Sequence, residues 1–282
     1  MTLTRRNKDR IGLGIRTTVS VGIATLIAVP FFWMVLSSFH ASSFDLFQSP
    51  PKFPAPFTPG NYAEAVAVID MFKLIGNTLI IVVWNMGLSI MSSILVAYGF
   101  ARFRVKERDT IFFILLATMM LPWVVTLVPS YIIYTRLGFV GTRLPLILPA
   151  IGGNAFFIFL LRQYMLGIPK SLDEAAEIDG CSKFGILFRI ILPQCKPIIA
   201  TLIVFSFVGS WSDYVGPRIY LASNPALQTL SVGLRYFQST TSVMPWHLLM
   251  AACVIFTIPM VVTMFVSQRA FTEGIVTTGM KG

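Results

Sequence analysis

Six long apolar stretches constrain this chain before anything else does. They lie near Thr17–Leu36, Leu74–Phe100, Thr110–Tyr134, Leu144–Leu161, Pro197–Tyr220 and Trp246–Val266 of the 282 residues. About 20 such residues in a helix cross a hydrocarbon core of ~30 Å. Inside that core the backbone must satisfy its own hydrogen bonds, so only helices and closed barrels span it. Barrel strands would be segments of about ten residues with alternating polarity, and these stretches are longer and uniformly apolar. With 55% hydrophobic and 12% charged residues, the expected fold is an all-α integral membrane bundle of six transmembrane helices.

The net charge of +10 could indicate nucleic acid, but its placement argues for a membrane. Sixteen of the 22 basic residues fall at the N-terminus (Arg5 to Arg16), in Arg102–Arg108, around Arg162–Lys196, and at Arg269 and Lys281. Those segments share one side if the N-terminus is inside. The positive-inside rule then puts both termini in the cytoplasm. Residues 1–16 read as a basic cytoplasmic tail and 17–36 as the first span, too long for a cleaved signal peptide and best taken as a retained anchor. Residues 37–73 form an external loop with Pro50, Pro51, Pro54, Pro56 and Pro59, followed by a short helix after Gly60. This loop is either a linker or a rim for a soluble partner. Residues 74–267 hold the other five spans and a cytoplasmic loop at 171–196, and 268–282 form a cytoplasmic tail. Cys181, Cys195 and Cys253 are not expected to pair. His40 and His247 have no ligand-spaced neighbours, so no metal site is expected.

Several features inside the spans bear on what passes through them. Ser89, Ser93, Ala97 and Ala101 form a small-residue stripe that permits close helix contact. Pro122 and Pro129 predict kinks in the third span. Gly152-Gly153-Asn154 in the fourth is either a packing notch or a polar lining. In the fifth, Ser206, Ser210 and Asp213 recur at helical spacing and face one way, flanked by Trp211 and Tyr214. Asp213 lies ~24 Å beyond Pro197, so it either faces substrate or has reached the outer interface, where aromatic residues gather. A carboxylate beside aromatic faces suits a polyhydroxylated ligand. The candidate substrate set is Asn154, Ser206, Ser210, Trp211, Asp213 and Tyr214.

The stretch Ser171–Pro193 is amphipathic, charged and punctuated. Ser171 to Glu174 reads as a capping box, with Asp173 and Glu174 in the first turn, where the dipole favours them. Gly180 suits the left-handed position that ends a helix. A second helix can start at Ser182, place Phe184 and Phe188 on one face, and stop at Pro193. The expectation is a rigid helix–turn–helix lying on the membrane surface.

Glu174-Ala175-Ala176, three residues, Gly180, nine residues, Ile190, one residue and Leu192-Pro193 closely resemble the EAA motif of ABC importer permeases. Phe159-Leu-Leu-Arg-Gln-Tyr164, Ile168-Pro169, Trp211-Ser-Asp-Tyr214, Thr229–Leu234 and Lys281-Gly282 resemble the smaller membrane subunit of maltose-type sugar importers, so the likeness runs from about Phe32 to the terminus. It implies a type I importer fold and a second, related permease. It also implies a dimeric cytoplasmic ATPase that holds ATP and Mg, an extracytoplasmic sugar-binding protein, and a bacterial or archaeal plasma membrane. Glu174, Ala175, Ala176, Asp179, Gly180, Phe184 and Pro193 would then couple to the ATPase, and Lys281 and Gly282 would reach toward it. Two positions depart from the family pattern: Ser212 stands where Asn is common, and Cys181 where Ala is.

No G-x-x-x-x-G-K-[ST] occurs, so ATP is expected on another chain and no cofactor on this one. A sugar is the first substrate reading; a polyol or glycerol phosphate is the alternative, although a phosphate would call for an arginine cluster and only Arg218 is near. Outside this class, an ion-coupled secondary transporter would need ionisable residues near mid-membrane, for which Asp213 alone is weak support. An intramembrane enzyme would need a nucleophile–base or metal constellation.

Overall fold

The computed structural model describes residues 5–46, 53–239 and 244–279, all helical or irregular in that range. The long helices are α1 (Arg5–Ser37), α2 (Met71–Arg102), α3 (Arg108–Thr118), α4 (Trp123–Arg136), α5 (Ala155–Leu166), α6 (Ser171–Ile178), α7 (Lys183–Gln194), α8 (Lys196–Ser212) and α9 (Trp246–Gly279). Four stretches are helical and apolar enough to cross a membrane: Leu13–Ser37, Met71–Arg102, Leu144–Leu166 and Trp246–Gln268. Two bent pairs, α3 with α4 at 93° and α7 with α8 at 80°, raise the number to as many as six.

The bend between α3 and α4 falls at one proline rather than two. Pro122 takes an extended conformation (ψ 131°) immediately before α4, while Pro129 lies inside that helix. A proline at a helix start loses only an N–H that has no partner there, so Pro122 can sit at a sharp corner. Pro129 removes one internal bond and leaves the helix continuous.

The chain divides into two compact units, one of Met1–Asp70 with Leu234–Thr257 and the other of Met71–Gly233 with Ile258–Gly282. Contacts distant in sequence tie the beginning of α9 to the N-terminal region. Ser43 Oγ donates to the Met244 carbonyl (2.8 Å) and accepts from the Trp246 N–H (2.8 Å). In the same unit the helix Gly60–Val68 forms as expected. Asn61 pins it to the end of α1 by donating to the carbonyls of Ser38 and His40, both at 2.8 Å. The apolar side chains of α1 from Leu13 onward are largely exposed, as a lipid-facing helix requires.

The larger unit has its core where α2 meets α5, α7 and α8. Ser89, Ser93, Ala97 and Ala101 are all buried, so the small-residue stripe is a contact surface. Ser93 Oγ accepts the Asn154 N–H at 3.0 Å. Gly153 has φ +74°, and a Cβ there would lie 3.2 Å from Ser93 Oγ and 3.3 Å from its backbone nitrogen. Gly153 is therefore a packing notch against α2, and Asn154 beside it is exposed. Arg162 of α5 lies 4.1 Å from the centre of the Phe112 ring and 3.6 Å from Asp109, fastening α3 to α5. Gly153→Ala is expected to lower stability by about 1–2 kcal/mol, since Ala must adopt a left-handed backbone and crowd Ser93. Gly152→Ala, with nothing within 4 Å, is expected to stay within about 0.5 kcal/mol. Detergent melting midpoints of the two variants, compared with the parent, check this.

Candidate functional site: a two-faced helical loop and a polar corner at the end of α8

The loop at 171–196 is a helix–turn–helix, as expected, but its first helix starts differently. Lys170 occupies the N-cap position and no side chain caps it. The Leu172 N–H donates to the Pro169 carbonyl, and those of Asp173 and Glu174 donate to the Lys170 carbonyl. Helical geometry therefore sets in at Lys170 (φ −67°, ψ −22°), directly after Pro169, and Ser171 lies within the first turn instead of capping it. The capping box is not formed.

The exit follows the sequence closely. Gly180 has φ +80°; its N–H donates to the Glu177 carbonyl (3.1 Å) and that of Cys181 to the Ala176 carbonyl (2.9 Å). This pair of bonds is a Schellman motif, in which a left-handed glycine reverses the chain. Ser182 then caps α7, its Oγ accepting the Gly185 N–H at 3.1 Å. Pro193 does not stop this helix. A π-turn over Leu187–Ile191, closed by the Leu192 N–H on the Leu187 carbonyl, precedes it, and a widened turn accommodates a ring and a missing donor. The helix reaches Gln194, and the chain bends at Cys195.

The two helices have a buried face and a bare one. Ala176, Ile186, Leu187 and Ile191 are buried in the core. Glu174, Ala175 and Asp179 are exposed; so are Ile178 (87%), Phe184 (68%) and Phe188 (43%). The motif's two alanines thus do different things: Ala176 seats the helix and Ala175 leaves its outer surface low. Ile178 was not singled out in the sequence, although its four-residue spacing from Glu174 places it on the same exposed face.

Residues missed by sequence reasoning hold the loop in place. Arg102, at the end of α2, lies 2.6 Å from the Asp173 carboxylate, with side-chain exposures of only 5% and 13%. It also donates to the Ile168 carbonyl at 3.1 Å, and Tyr98, one turn earlier, donates to the Lys183 carbonyl at 3.1 Å. Burial pushes the Asp173 carboxyl above its ordinary range, while the Arg102 guanidinium pulls it back. Glu177 and Lys183 pair across the turn. Between α2 and the loop lies a cleft of about 390 Å³ lined by Tyr98, Arg102, Arg104, Lys170 and Glu174 among others.

At the far end of α8 the expected alignment is only partly kept. Ser206 is buried, and Ser210 Oγ donates to Asn85 Oδ1 at 3.3 Å, while Asn85 donates to the Leu146 carbonyl at 2.9 Å. Trp211 is 1% exposed and stacked on Phe207 at 5.6 Å, so its ring is part of the packing. The helix ends at Ser212; Asp213 is extended (φ −62°, ψ 117°) and does not continue the face of Ser206 and Ser210. Its carboxylate accepts the Gly216 N–H at 3.1 Å, and its carbonyl accepts the Ser231 hydroxyl at 2.6 Å. An Asp that can bond its own backbone two or three residues on favours such a turn over a helix. Tyr214 is half-buried beside it. Asn154 is exposed, with its side-chain oxygen accepting the N–H groups of Phe156 and Phe157 at the start of α5. Its N–H is held against Ser93 of α2, and the Phe156 ring two residues on lies 6.2 Å from that of Phe205 in α8. Lys281 and Gly282 lie outside the described residues.

Long apolar helices with a packed polar-edged interior, and an amphipathic loop bare on one side, define a multi-span membrane permease. The chain belongs to the family described as "Binding-protein-dependent transport system inner membrane component", whose profile matches residues 89–276. It is 33% identical over 259 residues to "Probable ABC transporter permease protein YurM" of Bacillus subtilis (strain 168), covering 91% of this chain and 84% of that one. It is 31% identical to "Arabinooligosaccharides transport system permease protein AraQ" of Halalkalibacterium halodurans, covering 94% and 95%. Its fold is that of a chain in a bacterial ABC transporter involved in the import of the acidic polysaccharide alginate, with a TM-score of 0.80, 23% identity and coverage of 96% and 99%. The protein is a permease subunit of an ABC importer, a transport component and not an enzyme.

Ser182→Ala is expected to cost about 1 kcal/mol locally by removing the cap of α7. Amide exchange at Gly185 should then run about fivefold faster, with exchange in α2 unchanged.

Proposed function

We propose that this chain is one of two related permeases of an importer that carries a sugar into a bacterial or archaeal cell. An extracytoplasmic binding protein delivers the sugar, and a separate dimeric ATPase, which holds ATP and Mg, drives transport. The observation that carries this reading is the bare face of the cytoplasmic loop. Glu174, Ile178, Phe184 and Phe188 stand outward on a helix pair whose other side is locked into the core. Burying each of those large apolar side chains against a partner is worth about 1.5–3 kcal/mol. Closure of the ATPase dimer would displace Glu174–Pro193, and the helices would rock between outward- and inward-open arrangements.

In this reading the chain crosses the inner membrane six times with both ends in the cytoplasm. The bent pair α3–α4 forms the third span. Helix α8, 17 residues and ~26 Å long, is the fifth, with α7 lying on the inner surface. Ser206, Ser210, Asp213, Tyr214 and Asn154 contribute to the path of the sugar, and Trp211 supports them from behind. AraQ and its arabinooligosaccharide naming support a sugar substrate. The carboxylate of Asp213 also suits hydroxyls better than a phosphate.

The test is purification of the tagged chain in mild detergent, with co-purifying subunits identified and their ATP hydrolysis measured. Recovery of a soluble ATPase and a second permease is expected. Glu174→Ala combined with Phe184→Ala should lose the ATPase while keeping the second permease and the melting midpoint. A chain that purifies alone, or an ATPase retained at full stoichiometry by the double variant, would overturn the reading.

A further inference from the structure

Helix α2 touches both ends of the machinery described above. At its inner end Tyr98 and Arg102, four residues apart and hence on one face, each hold a different helix of the cytoplasmic loop. Arg102 lies 2.6 Å from Asp173 in α6 and donates to the Ile168 carbonyl before it, while Tyr98 donates to the Lys183 carbonyl at the first turn of α7. Seventeen positions back along the same helix, Asn85 accepts from Ser210 of α8 and donates to the Leu146 carbonyl. That separation is ~26 Å of continuous helix. Between the two ends the helix is continuous and the stripe of Ser89, Ser93, Ala97 and Ala101 is closely packed.

We propose that α2 is the lever of this permease, and that Arg102 is a positioning residue that couples displacement of the cytoplasmic loop to the Asn85–Ser210 corner of the transport path. The inference rests on the reading of the loop as the ATPase contact. Two features make Arg102 the joint. Its ion pair is almost fully withdrawn from water, so that removing one partner leaves the other charge buried and unpaired. Its planar fork reaches the carboxylate of α6 and the backbone of Ile168 together, which fixes direction as well as distance. Without Arg102, the loop would keep Ala176, Ile186, Leu187 and Ile191 in the core and the bare face would remain available to a partner. Engagement would persist, but motion of the loop would no longer be delivered to α2.

The test uses the assembled transporter, purified with its partner subunits and reconstituted in liposomes. Gly209→Cys, at a position where a Cβ meets nothing within 4 Å, reports on the corner next to Ser210 in a background lacking the three native cysteines. The rate of its modification by a charged methanethiosulfonate is measured with and without ATP plus vanadate. With Arg102 present, a change of fivefold or more is expected. Arg102→Ala should retain the ATPase and reduce the change to less than twofold, and the exchanged pair Arg102→Asp with Asp173→Arg should recover at least half of it. An undiminished response in Arg102→Ala, or a response that the exchange fails to recover, overturns the lever while leaving the loop's engagement intact. If Arg102→Ala does not assemble, Tyr98→Phe removes one hydroxyl from the same clamp. An unaltered response there likewise overturns the proposal, and a reduced one supports it. Absence of the ATPase from the parent preparation instead overturns the reading on which the lever rests.

Discussion

Helix α2 can come close to α5 because Ser89, Ser93, Ala97 and Ala101 carry no bulk to hold it off, and the rest of the larger unit is arranged around that contact. In lipid there is no hydrophobic gain from joining two helices, so shape and hydrogen bonds must hold them. The contact supplies both: Gly153 lets the chain turn against Ser93, and Ser93 accepts the Asn154 N–H. Asn154 in turn caps α5. With α2 and α5 set, α8 packs alongside them and the loop of α6 and α7 closes one end of the core.

The loop shows how a short segment can be rigid and available at once. Its inner residues belong to the same apolar cluster as the spans, and Arg102 and Tyr98 fasten its two helices from one side. Its outer residues, Ile178 and Phe184 foremost, are apolar groups left exposed. A monomer gains nothing by exposing them there, which is why the face reads as a contact surface. Rigidity matters for that role, since a surface that yielded when pushed would not pass displacement on.

Much of the loop was legible residue by residue, and the reason is locality. Gly180 ends α6 in a left-handed conformation and Ser182 caps α7, because both depend on backbone groups within a few positions. Ser171 was misread for a related reason. Its chemistry suits a cap, but Lys170 one residue earlier is already in helical conformation. Pro193 was read as a stop, and the π-turn upstream accommodated it. The corner of α8 was less legible. Asp213 fits a helical face by spacing, yet its bonds to Gly216 and Ser231 hold it in a turn, and Ser231 lies too far along the chain for any local pattern to signal it.

By itself the sequence determined the class of the molecule: apolar length demands membrane helices, and the spaced Glu-Ala-Ala, Gly and Leu-Pro residues specify the loop and the family. These properties follow from hydrophobicity, charge and backbone preference, which each residue carries wherever it sits. Tertiary structure decided which groups meet. Arg102 with Asp173, Ser210 with Asn85, Asn154 with Ser93 and Ser43 with Met244 are pairs that local spacing does not announce. A polar group withdrawn from water must find a partner, and which partner is within reach depends on how the helices pack.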